Sequence, residues 1–266
     1  MQGERSDGSC IQGERSDGSC AVNVEFDGGL AVLTIDRPHA RNAISLDTMD
    51  QLNAALDTVA EARVLVVKGA GDRAFVSGGD LKELAAITTH DGAAEMAWRM
   101  RAICDRLVNF PGPVIAALNG HALGGGAEFA TAVDIRLAAD DIKIGFNQVT
   151  LQIMPAWGGA ERLATLVGTG RALLLAGTGE VLTAGEAERI GLVDKVFERS
   201  AFEDGWRRVA RALTAAPVRD IKRVVRGLPP ADAVDAFARH WVSDDHWAAV
   251  DNRTKPVQSL DAGRPA

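Results

Sequence analysis

In the stretch His121-Ala-Leu-Gly-Gly-Gly-Ala-Glu-Phe129, three glycines run into a helical pattern with a carboxylate on its first turn. Glycine lets the backbone come close to a bound group with no side chain in between. The first N–H groups of a helix have no internal partner and lie at the positive end of its dipole. A turn at Gly124, Gly125 and Gly126 therefore presents free donors to an oxygen on which negative charge develops. The stretch Phe75-Val-Ser-Gly-Gly-Asp80 repeats the device, a strand ending in two glycines before a helix that begins at Leu81. Two such turns can serve one oxygen. Glu128 follows Gly125 by three residues and can reach the same ligand, where a positioned carboxylate contributes roughly 100- to 10,000-fold as a general acid or base. An acidic group there also stabilises the helix without reacting, and Asp80 has the position of an N-cap.

The elements that must hold these residues alternate between strand and helix. Strands are expected at 22–25, 31–35, 64–67, 114–118 and 135–138, and Ser45 caps a helix running to Ala60. Thr183-Ala-Gly-Glu186 has capping-box spacing for a helix stopped at Gly191. Beyond Ser200 the chain reads helical, with breaks near Pro217 and Pro229-Pro230. Gly69-Ala-Gly71-Asp-Arg-Ala74 loosely spells a dinucleotide fingerprint. Phe75 and Val76 read as strand, however, and a dinucleotide site needs a helix to open there.

Composition narrows the classes. With 47% apolar residues in 266, the chain can bury one substantial core. Its three cysteines, Cys10, Cys20 and Cys104, lack metal-ligand spacing. The expectation is a fold without disulfides in a reducing cytoplasm. A net charge of −7 argues against nucleic acid as the main partner. No apolar run is long enough to span a membrane, and the amino terminus has no signal-peptide core. Residues 2–10 recur identically as 12–20, polar and without apolar residues to bury, so 1–20 reads as a disordered leader.

Both glycine turns, in sequence with further motifs, resemble the crotonase (enoyl-CoA hydratase/isomerase) superfamily. The resemblance begins at Leu30-Ala-Val-Leu-Thr-Ile-Asp-Arg-Pro38 and Arg41-Asn-Ala43. It continues through 75–83, 113–134, Met154-Pro-Ala-Trp-Gly-Gly159 and Gly185-Glu-Ala-Glu-Arg-Ile-Gly-Leu-Val-Asp194. It implies an α/β fold, a crotonase-like spiral of repeated ββα units over 21–199. A helical region at 200–266 would pack on neighbouring subunits as a trimer or a pair of trimers. It also implies an acyl-CoA thioester as substrate, with coenzyme A entering as part of that substrate and no tightly bound cofactor or metal. The Gly79 and Gly125 N–H groups would form the oxyanion hole, with Glu128 handling a proton. Arg37 and Arg41, in the loop Arg37-Pro-His-Ala-Arg-Asn42, together with Lys82, are the candidate phosphate contacts, alongside backbone groups at Val76 and Ser77. His121 could touch the acyl chain or thioester, and Trp157 is a candidate wall of the acyl pocket. Asp134 and Arg136 read as structural.

The chain departs from the family at one place that matters. Counting back from Met154-Pro155 in Phe146-Asn-Gln-Val-Thr-Leu-Gln-Ile-Met-Pro155, the second glutamate of a hydratase is replaced by Gln148. An amide can orient a water but cannot take its proton. Hydration of a 2-enoyl-CoA is the first expectation. Decarboxylation of a branched malonyl-CoA, such as ethylmalonyl-CoA, asks less: an oxyanion hole, a pocket that strips water from the carboxylate, and a proton donor. A silent acyl-CoA-binding protein is the third reading, and a dinucleotide oxidoreductase is remote.

Overall fold

The computed structural model describes residues 9–10 and 20–254. They divide into two compact units, Met1–Ala215 and Ala216–Ala266. The strands of the first unit are β1 (Ser9–Cys10), β2 (Val22–Asp27), β3 (Leu30–Ile35), β4 (Val64–Gly69), β5 (Ala74–Val76), β6 (Val114–Leu118), β7 (His121–Leu123), β8 (Ile135–Ala139), β9 (Lys143–Gly145), β10 (Val181–Thr183) and β11 (Lys195–Phe197). They form a seven-stranded sheet ordered β1-β2-β3-β4-β6-β8-β11 and a four-stranded sheet ordered β10-β9-β7-β5. The large sheet is antiparallel through β1–β3 and parallel from β3 to β11. In the small sheet β5, β7 and β9 are parallel, and β10 pairs antiparallel with β9.

Three successive turns of the chain each lay one strand in the large sheet and one in the small sheet before a helix follows. β4 and β5 lead to α2 (Leu81–Leu84) and α3 (His90–Val108), and β6 and β7 lead to α4 (Gly125–Ala130). β8 and β9 lead through a short 3-10 helix to α5 (Gly159–Val167) and α6 (Thr169–Thr178). This is the expected spiral of ββα units. The parallel strands are covered on both faces, which is why β3, β4 and β6 read as near-continuous apolar runs and are almost wholly buried. Phe75 of β5 stacks on Phe129 of α4 at 6.0 Å between centroids, joining the two glycine turns through the core.

Helix boundaries follow their caps. Helix α1 (Leu46–Thr58) starts where the Ser45 hydroxyl accepts from Thr48 N at 3.1 Å. Thr183 and Glu186 form the capping box of α7 (Ala184–Arg189). Gly69 ends β4 and no helix follows, so the loop to β5 is a tight turn rather than a dinucleotide site. Asn42 and Asn119 fasten it: the Asn42 amide donates to Ala70 O and Ala74 O, and Asn119 exchanges hydrogen bonds with Gly69 and donates to Gly71 O. Arg136 is buried and spent on Leu192 O, Val133 O and the Asp194 carboxylate, the structural role expected of it.

Helix α8 (Phe202–Ala212) buries Phe202, Trp206 and Ala210 within the first unit, so the break in the chain follows Ala215 instead of the expected 199/200 boundary. The second unit contains α9 (Val218–Val225), α10 (Pro230–Trp241) and α11 (Asp244–Thr254), broken at Pro217 and at Pro229-Pro230 as the sequence indicates. Within it Trp241 packs against Phe237, His246 and Trp247. Of the leader, Ser9–Cys10 pairs with β2, an ordered strand where disorder was expected; 1–8 and 11–19 lie outside the described residues. Cys104 is a buried free thiol raised to about 12 by burial. Cys20 is disulfide-bonded, a departure from the expectation of reduced cysteines. Among the described residues no helix is long and apolar enough to cross a membrane.

The tightest approach in the fold is at Gly126, where a β-carbon would lie 1.8 Å from Val76 O. Backbone occupies that space, so Gly126→Ala should destabilise the protein by about 1–3 kcal/mol or more. Gly185 in α7 has open space around its α-carbon. Gly185→Ala should therefore stabilise by roughly 0.5–1 kcal/mol. Urea unfolding of the two variants beside the wild type checks both signs.

Candidate active site

A cleft of about 990 Å³ opens on the first unit, and Gly79, Gly125, Glu128 and Gln148 all line it. The direction of each glycine N–H follows from the carbonyl of the same peptide. Gly78 O accepts from Ile44 N at 2.8 Å. The peptide is trans, so the Gly79 N–H points the opposite way, away from Ile44. The parallel bridge between Ile44 and Gly79 is completed by Asp80 N donating to Ile44 O at 2.8 Å, which leaves the Gly79 N–H unspent in that bridge.

At the second turn, Gly124 O accepts from Ala127 N at 3.0 Å and Glu128 N at 3.2 Å. The Gly125 N–H therefore points out of the amino end of α4, where the helix dipole is positive. Gly78 at φ +95° and Gly124 at φ +56° precede the two donors, in a region that L side chains rarely adopt. A β-carbon on Gly78 would lie 3.2 Å from Gly125 N, so the two turns are in contact. Two N–H groups thus converge on one cleft, as an oxyanion hole requires.

Glu128 is 2% exposed. Its Oε1 accepts from Gln148 Nε2 at 2.8 Å and Ala156 N at 3.3 Å; its Oε2 accepts from Trp157 N at 2.7 Å and Gly159 N at 3.0 Å. Burial pushes the carboxyl up, and those N–H groups and the Gln148 amide offset this only in part. Gln148 is itself buried, and its Oε1 has no hydrogen-bond partner among the described residues. With its amide nitrogen spent on Glu128, the oxygen is left to accept from a small donor such as water.

The remaining expected residues scatter in role. Trp157 is buried in the cleft wall, its ring against Gly125: a β-carbon there would meet Cζ3 at 2.4 Å. Arg162 Nη1 donates to Trp157 O at 2.8 Å and fixes the backbone behind the ring. Arg41, Ser77 and His121 line the cleft. His121 Nδ1 accepts from Lys143 N at 3.1 Å. Val76 is fully buried with its carbonyl turned to Gly126, and Lys82 is exposed on α2; neither lines the cleft.

Arg37 also lies off the cleft wall. Its Nη1 donates to Ala43 O at 2.5 Å, and its Nη2 pairs with Asp80 Oδ2 at 2.9 Å. A guanidinium spent in this way is not offered to a phosphate. Asp80 caps α2 through Lys82 N; burial pushes its carboxyl up, but Arg37 together with the Lys82 and Glu83 N–H groups outweighs this and the net shift is downward. Sequence reasoning missed Ala156 N and Gly159 N, because backbone donors leave no residue signature. It also missed Arg73 and the Arg199–Asp141 pair in the cleft wall, which reach it from short connections. Among the described residues no cluster of His, Cys, Asp or Glu could hold a metal.

Comparison with known proteins identifies the family. A family model described as enoyl-CoA hydratase/isomerase matches residues 25–229. The chain is similar to a short-chain-enoyl-CoA hydratase of Clostridium acetobutylicum, 39% identical over 193 residues, covering 71% of this chain and 74% of that protein. It is also similar to a crotonyl-CoA hydratase of Syntrophomonas wolfei subsp. wolfei, 41% identical over 172 residues, covering 64% and 66%. The solved enoyl-CoA hydratase from Bacillus anthracis superposes with a TM-score of 0.79 at 29% identity, covering 88% of this chain and 95% of that one.

The raised Glu128 carboxyl has a stability consequence of definite sign. A raised acid contributes stability that is fully present below its unfolded value, about 4.3, and lost as pH rises through the higher folded value. Glu128→Gln lacks this titration. The stability of the wild type relative to Glu128→Gln should therefore fall as pH rises from about 4 to about 7. Urea midpoints across that range check it; a relative gain would mean the four N–H donors outweigh burial.

Proposed function

The chain belongs to the enoyl-CoA hydratase/isomerase family, and we propose that it adds water across the double bond of a 2-enoyl-CoA thioester. The observation that carries this reading is the meeting of two outward-pointing glycine N–H groups with the Glu128–Gln148 pair in one cleft. The thioester oxygen sits between the Gly79 and Gly125 N–H groups. A water donates one hydrogen to Gln148 Oε1 and presents the other to Glu128. Its oxygen attacks the β-carbon, its proton passes to Glu128, and the π electrons move to the thioester oxygen as an enolate. The enolate then collapses and its α-carbon takes the proton from Glu128. Atoms balance as one water added, with a single carboxylate acting as base and then acid.

Gln148 changes the rate more than the route. Its amide orients the water but shares no proton, and its Nε2 stabilises the ionised Glu128. Binding of the CoA phosphates falls to Arg41 among the residues anticipated, because Arg37 is otherwise engaged. One observation favours a second reading: burial raises the Glu128 carboxyl, which suits a proton donor in the loss of CO2 from a branched malonyl-CoA. Self-association as a trimer or a pair of trimers is supported by exposed Val234, Phe237 and Trp241 on α10.

Incubation with crotonyl-CoA and with ethylmalonyl-CoA, read by mass, separates these reactions. Gain of one water from crotonyl-CoA is expected, reduced roughly 100-fold or more in Glu128→Gln and increased in Gln148→Glu. Loss of CO2 without hydration would replace the first reading by the second, and tight binding with neither product would make the protein a silent binder. Light scattering should return about three or six times the 28.1 kDa chain mass; a monomer would exclude the trimer.

A further inference from the structure

We propose that Arg37 is a positioning residue that polarises the Gly79 N–H through two peptide groups, so that a part-buried cation strengthens the oxyanion hole without touching the substrate. The inference rests on the oxyanion-hole reading above and concerns what powers one of its donors. Arg37 Nη1 donates to Ala43 O at 2.5 Å. The N–H of that same peptide belongs to Ile44, and it donates to Gly78 O at 2.8 Å. The N–H of the next peptide belongs to Gly79, in the wall of the cleft. Both peptides are trans, so each carries its C=O and N–H on opposite sides. The result is an unbroken series running from guanidinium to Ala43–Ile44 peptide, to Gly78–Gly79 peptide, to substrate oxygen.

Hydrogen bonds in such a series polarise one another, by roughly 10–30% per bond. The guanidinium at the first carbonyl, cationic though shared with the Asp80 carboxylate, draws electron density toward itself and makes Ile44 N–H a stronger donor. Gly78 O, pulled in turn, makes Gly79 N–H a stronger donor to the enolate. The guanidinium is fixed for this purpose. Its side chain is 11% exposed, its Nη2 pairs with Asp80, and its Nε is buried with no hydrogen-bond partner among the described residues. Leaving a buried N–H unpaired is costly, so the two Nη contacts are what hold the group in place. Asp80 also returns its own N–H to Ile44 O at 2.8 Å, which ties the chain on both sides of Gly79 to one short strip. The Gly125 donor has a different source, since Gly124 O is engaged by Ala127 and Glu128 in α4. One donor draws on a helix terminus and the other on a cation.

The test binds butyryl-CoA, saturated at its α- and β-carbons and labelled with carbon-13 at the thioester carbonyl, to the full-length protein and reads the carbonyl resonance. Wild type, Arg37→Gln and Arg37→Lys are compared, with near-ultraviolet circular dichroism confirming that each is folded. Gln keeps a neutral donor near Ala43 O; Lys keeps the charge. A downfield shift is expected in wild type, reduced in Arg37→Gln and largely restored in Arg37→Lys. Turnover of crotonyl-CoA should follow, with kcat falling roughly tenfold in Arg37→Gln, less than for loss of a whole donor, and KM little changed. A merely structural role would not have the charge-retaining variant recover the resonance. Equal shifts in wild type and Arg37→Gln overturn the relay. If Arg37→Gln does not fold, a folded Arg37→Lys that has lost the shift overturns it as well. No downfield shift in wild type would instead remove the oxyanion-hole reading on which the relay rests.

Discussion

The site depends on a single close approach of backbone to backbone. Helix α4 can begin against the end of β5 only because Gly126 has no side chain, with Val76 O occupying the space a β-carbon would need. That contact sets the Gly125 turn beside the Gly78–Gly79 turn. Everything functional follows from it: two donors on separate elements meet, Glu128 falls one helical turn behind them, and the Trp157 ring closes over Gly125. The stacked Phe75 and Phe129 hold the same two elements together from the core side, so packing and chemistry share one axis.

Glu128 illustrates the cost of burying a carboxylate in the wall of a cleft. Its four donors occupy the lone pairs that a base needs, so taking a proton must displace or weaken one of those bonds. Burial acts the other way and makes the protonated form less costly than in water. A carboxylate set between these opposing influences can take a proton and give it back, which suits a reaction that borrows one proton and returns it to a neighbouring carbon. Ala156, Trp157 and Gly159 thereby make the loop after the 3-10 helix part of the carboxylate's environment, and a change of backbone there would be felt at Glu128.

Much of the fold could be read from the sequence because it is written in burial. The strands at 64–67 and 114–118 are apolar runs since both their faces are covered, and Ser45, Asp80 and Thr183 announce helices because a cap satisfies N–H groups that nothing else reaches. The small sheet was harder. Strands β7, β9 and β10 are three residues each, too short for any periodicity to register. The end of the core was also hidden, since α8 reads as one more helix of the carboxy-terminal region until Trp206 is found fully buried.

Of the site, the glycines and Glu128 were legible because only glycine tolerates those turns and because a carboxylate near a helix start is conspicuous. Arg37 was not, and the reason is general. A cation in a loop is by default a surface group available to phosphates, and nothing in its neighbours Pro38 and His39 says that it turns inward. What decides its role is the position of the Ala43 and Gly78 carbonyls, groups that every residue carries and no sequence distinguishes. The strength of an oxyanion donor is set by whatever its own peptide's carbonyl accepts from: a helix for Gly125, and the Ile44 N–H of an isolated bridge, backed by a guanidinium, for Gly79. Identical glycine turns in the sequence therefore need not be equivalent donors in the folded protein.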